Sequence, residues 1–178
     1  MYAYIKKWVT LEEVDFSNTY QIAELVIFSV LGFCIPLFIG HPQIVVGLLV
    51  NAFLISNALK LKGWKILPII LLPSLGVLSR GILFGPFTPF LLYMIPFIWI
   101  GNTLLVMAFR KLRKSYWISL FVGVLLKSAF LFLSAYILYS LDIIPIIFLT
   151  AMGILQVITG FLGGIASFAY EKTVRVLQ

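Results

Sequence analysis

Lys127 is an isolated cation inside an apolar run, FVGVLLKSAFLFLS at 121–134. No Asp or Glu lies within fourteen positions of it on either side. A charged side chain is costly inside a bilayer, so such residues usually face the interior of a helical bundle and often mark a functional site. An ammonium group carries three hydrogen-bond donors and attracts anions. The chemistry that Lys127 suggests is therefore the binding of a negatively charged group.

Three structural alternatives for Lys127 remain open. Its side chain could extend to a membrane interface along its apolar stem. It could be uncharged and hydrogen-bonded to neighbouring Asn or Gln amides. It could also pair with Glu24, near the start of the first apolar run, whereas Asp142 is expected at the outer rim. The remaining interpretation is that an anionic ligand supplies the missing charge.

Amide side chains occupy comparable depths in three other apolar runs. Asn51, Asn102 and Gln156 each fall near the level of Lys127 when depth is counted at about 1.5 Å per helical residue. We expect these groups to line one pocket, in which the amides orient a ligand and aromatic rings stack on it. The predicted substrate-binding residues of this pocket are Lys127, Asn102, Gln156 and Asn51, with Trp99 and Tyr136 as its aromatic walls.

A second polar set is expected at the outer ends of the apolar runs. It consists of His41, Gln43 and Arg80. Together with Lys127, these residues predict a cationic route from outside to the middle of the membrane. In the structural alternatives, His41 is only a helix-entry residue and Arg80 only anchors lipid phosphate at the interface.

The composition places these residues in a membrane. The chain has 178 residues, of which 62% are hydrophobic and 11% charged, whereas a soluble domain carries about 25% charged residues. Each apolar run approaches the roughly 20 residues that a transmembrane helix needs. The predicted fold is an all-α integral membrane protein, a compact six-transmembrane-helix bundle forming one domain over 1–178. The predicted spans lie near 20–39, 43–59, 66–84, 88–109, 116–140 and 143–169.

The cations predict the orientation of this bundle. Eleven of the 13 Lys and Arg residues flank the spans on one side, and Arg80 is alone on the other. Because positive residues concentrate on the cytoplasmic side, both termini are expected in the cytoplasm of a plasma-membrane protein. Residues 1–19 mix charges with apolar residues at helical spacing, which predicts a short amphipathic helix in the cytoplasmic interface.

Several chemistries are excluded by residues that the sequence lacks. It has one His and one Cys, too few for a His-rich zinc site or a Cys cluster. The motifs H-E-x-x-H and G-x-S-x-G and a P-loop do not occur. We therefore expect no enzyme activity, metal or cofactor. The net charge of +7 is divided among short loops, which does not indicate a nucleic-acid partner.

Small residues indicate where helices approach closely. Gly160 and Gly164 have G-x-x-x-G spacing in the last span. Such spacing lets another backbone come near. It predicts tight packing within the bundle or, alternatively, docking onto a partner membrane protein.

Three stretches carry a resemblance to a known family. They are HPQIVVGLLVNAFLI at 41–55, PSLGVLSRGILFGPFTPFLLYMIPFIWIGN at 73–102 and QVITGFLGGIASF at 156–168. They combine a polar start to span two, a Gly- and Pro-rich connection before span four, and a span six rich in small residues. With six spans and few catalytic side chains, the chain resembles the S component of energy-coupling factor transporters.

The resemblance implies a compact bundle with a pocket that opens outward and binds a vitamin or related micronutrient. It also implies partners, namely a transmembrane coupling subunit and two cytoplasmic ATPases. Members often carry an Ala-x-x-x-Ala contact in the first span, but here Ala23 is followed by Ile27. Gly32 or the glycines of span six are the replacements to consider.

The leading hypothesis is thus a high-affinity binding subunit for a small anionic solute in an ATP-driven importer. An autonomous carrier or channel is the first alternative, and it would need a continuous polar path across the membrane. A membrane scaffold or assembly protein is the second, and it would retain no ligand.

Overall fold

The computed structural model describes residues 18–39, 41–61, 63–81, 84–112 and 115–176. Short 3₁₀ turns, Gly63–Ile66 and Gly85–Phe90, lead into the third and fourth helices. No β-strand occurs in these ranges, so the predicted all-α class is confirmed. The interfacial helix predicted over 1–19 lies outside them, apart from its last two positions. The α-helices are α1 (Asn18–Phe38), α2 (Gln43–Lys60), α3 (Leu67–Arg80), α4 (Leu91–Lys111), α5 (Tyr116–Ser140), α6 (Ile147–Met152) and α7 (Ile154–Val176).

The outer surface of the helices is apolar. On α5, Phe121, Leu126 and Leu133 are 56%, 49% and 58% exposed. A soluble monomer rarely exposes apolar patches of this kind, so the protein is membrane-embedded. Within the described ranges, four segments are long and apolar enough to cross a bilayer: Gly63–Arg80, Gly85–Lys111, Tyr116–Ser140 and Ile147–Thr173. Ile22–Phe38 and Gln43–Ala58 are shorter apolar helices.

Within the last predicted span, 143–169, the chain is not one continuous helix. The chain forms α6 and then α7, with Gly153 between them at φ −97° and ψ −102°. These angles lie outside the helical region. The break follows Met152 and precedes Leu155, both of which line the cavity described below.

Helices α7 and α2 pack so closely that their backbones are nearly in contact at Gly163. A Cβ atom built on Gly163 would lie 2.7 Å from both the Leu48 carbonyl oxygen and the Asn51 Cβ atom. Real Cβ contacts are not this short, so the close approach of the two helices requires glycine here. This contact holds Asn51 at the centre of the bundle.

The predicted G-x-x-x-G pair packs inside the bundle, against α5. A Cβ atom on Gly160 would lie 2.9 Å from the methyl groups of Val124, and one on Gly164 would meet the side chain of Leu120. Gly32 is likewise covered, by Pro73 of α3. The glycines considered as a docking surface for a coupling subunit are therefore buried between helices of this chain.

An ionic cluster joins three helices at one end of the bundle. The Lys60 Nζ atom lies 3.0 Å from Glu24 Oε1 and 2.9 Å from Glu171 Oε1, and 5.0 Å from the centre of the Tyr170 ring. Lys60, expected in a loop, is the last residue of α2 and only 7% exposed. The cluster thus ties α1, α2 and α7 together.

Two arginines bind the carbonyl ends of neighbouring helices. Arg110 of α4 donates from Nε to the Ala58 carbonyl at 3.1 Å and from Nη2 to the Leu61 carbonyl at 2.5 Å. Arg80 of α3 donates to the Leu37 carbonyl at 2.7 Å. The last carbonyls of a helix lack intrahelical donors and carry the negative end of its dipole, so each guanidinium caps a helix.

Candidate functional site

A cavity of about 90 Å³ lies among α2, α3, α4, α5 and the junction of α6 with α7. It follows α2 from Gln43 to Asn51, which is about 12 Å at about 1.5 Å per residue. Much of its wall is apolar and includes Val50, Leu91 and Met152. Its polar lining consists of Gln43, Asn51, Ser74, Asn102, Lys127, Gln156 and Thr159. Four of the residues predicted to share one depth, namely Lys127, Asn51, Asn102 and Gln156, therefore meet in one cavity.

Lys127 lies on the buried stripe of α5. Gly123, Val124, Leu131 and Ser134 are buried with it, at the three- and four-residue spacing of one helical face. Lys127 is only 4% exposed. Extension of its ammonium to a membrane interface, the first structural alternative, is therefore wrong.

A hydrogen-bonded chain runs from Lys127 to the backbone of α7. Lys127 Nζ donates to Asn51 Oδ1 at 2.6 Å. Asn51 Nδ2 donates to Thr159 Oγ1 at 3.2 Å, and Thr159 Oγ1 donates to the Leu155 carbonyl at 2.8 Å. Because a carbonyl can only accept, this chain fixes the orientations of the hydroxyl and the amide.

The hydrogen bonds also bear on the other two structural alternatives for Lys127, and they exclude one of them. Glu24 is bound to Lys60, so the pairing of Lys127 with Glu24 is wrong. The contact with Asn51 is the one that the second structural alternative requires. It occupies one of the three N–H donors of an ammonium. Among the described residues, no carboxylate pairs with Lys127, so the other donors face the cavity without an acidic partner.

Asn102 carries an acceptor with no donor. Its Nδ2 atom donates to the Ile70 carbonyl at 3.1 Å, which fixes the amide orientation because that carbonyl can only accept. Its Oδ1 atom is buried and has no hydrogen-bond partner among the described residues. The residue is 2% exposed and lines the cavity. An unsatisfied buried acceptor costs about 1–3 kcal/mol, so a bound donor would be stabilising here.

Among the residues that line one cavity, Lys127 thus has donors to spare and Asn102 has an acceptor without a donor. No protein-family model, curated protein or solved structure matches this chain. Function is therefore inferred from the cavity itself. In the described part of the chain, no group of three or more His, Cys, Asp or Glu side chains is placed to hold a metal ion.

The two glutamines of the cavity lie at its ends. Gln156 follows the break at Gly153, and its Nε2 atom makes a long contact of 3.4 Å with the Ala151 carbonyl. Gln43, assigned from sequence to the outer polar set, begins α2 and lines the cavity. Both amides leave hydrogen-bonding capacity for a ligand.

The predicted aromatic walls do not line the cavity. Tyr136 is 52% exposed on the outer face of α5. It follows Lys127 by nine residues, about two and a half turns, so the two side chains point in opposite directions. Trp99 lies behind the wall, where its Nε1 atom donates to Ser74 Oγ at 2.8 Å and orients that cavity residue.

His41 and Arg80 do not line the cavity either. His41 is exposed two residues before α2 begins, and Arg80 is engaged with the carbonyl end of α1. The predicted cationic route through them is not formed, because the guanidinium of Arg80 satisfies backbone acceptors. Of the outer set, Gln43 alone contributes to the cavity.

Two polar lining residues were not predicted from the sequence. Thr159 follows Gln156 by three positions on α7, and this helical spacing could have indicated it. Ser74 lies beside Pro73 in the middle of α3, where a hydroxyl could likewise have been noticed. Both are buried, at 3% and 4% exposure.

Proposed function

We propose that this protein is a membrane-embedded binding subunit for a small anionic solute, held at Lys127. The single observation that carries the proposal is a lysine at 4% exposure that lines a cavity and has no carboxylate partner in the described part of the chain. Ionisable groups buried in membrane segments are rare and often mark substrate pathways. The amides of Asn51, Asn102 and Gln156 would orient the solute.

The proposed orientation is six spans with both termini in the cytoplasm. Ile22–Phe38 and Gln43–Ala58 would cross as the first two spans, with some local thinning of the bilayer. The cavity begins at Gln43, at the end opposite the Lys60 cluster, so the solute would enter from outside. A green fluorescent protein fused to the C-terminus is expected to fluoresce, and an alkaline phosphatase fusion to be inactive. The reverse pattern would invert the orientation.

We propose that the protein is the solute-binding subunit of an energy-coupling factor transporter, which imports the solute. Beyond Asn51, the bundle is closed by a buried apolar core that includes Leu54, Leu105 and Phe109. The Ser56 and Ser167 hydroxyl groups bind each other there at 2.8 Å. We propose that a coupling subunit and ATPases open this end and release the solute. Solute flux through liposomes that contain this chain alone would favour the autonomous carrier.

The test of the binding function is a Lys127→Met variant. Hydrogen bonds to charged groups contribute about 1.5–3 kcal/mol, so the variant is expected to bind the solute roughly 10- to 100-fold more weakly. The measurement is mass spectrometry of small anions that co-purify with the protein, followed by titration of the anion found. Lys111→Met, at an exposed lysine of α4, is the matched control and should retain the solute. Equal occupancy in both variants, or no anion in the parent protein, would reject the proposal.

A further inference from the structure

Two lining residues of the cavity lie on neighbouring helices: Asn102, whose acceptor has no donor among the described residues, and the cation Lys127. Gly101 of α4 packs on Leu131 of α5, since a Cβ atom on Gly101 would lie 3.1 Å from Leu131 Cγ. Asn102 directly follows Gly101 in α4. Lys127 precedes Leu131 in α5 by four residues, which is about one helical turn. Helices α4 and α5 run antiparallel, so Asn102 and Lys127 face the cavity from similar heights.

We infer that Asn102 selects solutes in which a neutral O–H or N–H donor accompanies the acidic group, such as compact hydroxycarboxylates. This inference rests on the proposed anion-binding function and specifies the ligand class of the same site. The acid would accept hydrogen bonds from Lys127, and its donor would satisfy Asn102 Oδ1. The Asn102 amide cannot rotate to offer a donor instead, because its nitrogen is held by the Ile70 carbonyl.

The volume of the cavity limits the solute further. At about 90 Å³ it is smaller than the roughly 150 Å³ cavity that admits benzene and far below the roughly 300–1,000 Å³ of drug-sized ligand pockets. A carboxylate with two or three carbons and one hydroxyl is the appropriate size. The donor group of the solute is expected to be neutral rather than an ammonium, since the Lys127 ammonium would repel a second cation in the same cavity.

Two acids that differ by one hydroxyl group provide the test. Lactate and propionate are titrated separately into the purified full chain in detergent micelles, and binding is measured by calorimetry. Lactate is expected to bind about tenfold more tightly, because propionate leaves the buried Asn102 oxygen without a donor. In Asn102→Leu, the two affinities should agree within about twofold.

The outcomes separate this inference from the function on which it rests. If the parent protein binds both acids equally and Lys127→Met loses both, the donor requirement is rejected and the anion site stands. If neither acid binds, or if Lys127→Met binds both as tightly as the parent, both ideas are rejected. Should Asn102→Leu fail to fold, the comparison of the two acids in the parent protein still decides.

Discussion

Replacement of Lys60 by methionine is expected to lower the free energy of unfolding by about 3 kcal/mol. The change leaves the carboxylates of Glu24 and Glu171 near each other without the cation that lies 3.0 Å and 2.9 Å from them. Removal of one member of a buried ionic cluster typically costs about 3–5 kcal/mol. The lower end applies, because the two glutamate side chains are 20% and 22% exposed and water screens part of the repulsion.

The measurement is the unfolding of purified protein in detergent micelles, with Lys111→Met as the control. A combined variant, Lys60→Met with Glu24→Gln and Glu171→Gln, tests the cause. It removes all three charges and should recover most of the stability. If Lys60→Met unfolds like the parent protein, or if the combined variant is no more stable than the single one, electrostatics in this cluster do not stabilise the bundle.

The second large effect concerns the partner of Lys127. Asn51→Leu is expected to destabilise the protein by about 2 kcal/mol, since it removes the acceptor that lies 2.6 Å from the buried ammonium. Adding Lys127→Met should restore the stability to near that of the parent, because two apolar groups then replace a buried polar pair. The double variant would nevertheless lose the solute. Lys127 would then be a residue retained for binding rather than for folding.

Asn57→Leu is the matched control for Asn51→Leu. Both residues are buried amides of α2, at 0% and 1% exposure. Asn57, however, donates only to the Phe53 carbonyl of its own helix, and its Oδ1 atom has no partner among the described residues. Its replacement should change the free energy of unfolding by less than about 1 kcal/mol. A double-mutant cycle on Asn51 and Lys127 with no coupling energy would contradict the assigned contact.

Depth in the membrane could be predicted from the sequence, but rotation about each helix could not. Asn51, Asn102, Lys127 and Gln156 meet in one cavity because helical rise converts position along a span into height. Whether a side chain at that height points inward depends on its angle around the helix. Tyr136 lies half a turn away from the Lys127 face, so the rotation that buries Lys127 exposes Tyr136.

The hydrogen-bond and ion-pair partners that lie on other helices could not be predicted from the sequence either. Whether Glu24 pairs with Lys60 or with Lys127 depends on how far α1 lies from each of the two residues, and the sequence does not give these distances. Which amide accepts a hydrogen bond from Lys127 likewise depends on helix positions, and in the structure it is Asn51, at 2.6 Å. The break at Gly153 is another such feature, because glycine occurs both within and at the ends of membrane helices.

The capping of α2 by Arg110 has a consequence for lipids. Two of its guanidinium nitrogens are bound to the carbonyl oxygens of Ala58 and Leu61, and the neighbouring Lys60 lies against two carboxylates. Arg110 and Lys60 are therefore less available to acidic phospholipid headgroups than their place among the 13 Lys and Arg residues suggests. The number of Lys and Arg residues on one side of the membrane therefore does not give the strength with which that side binds lipid headgroups.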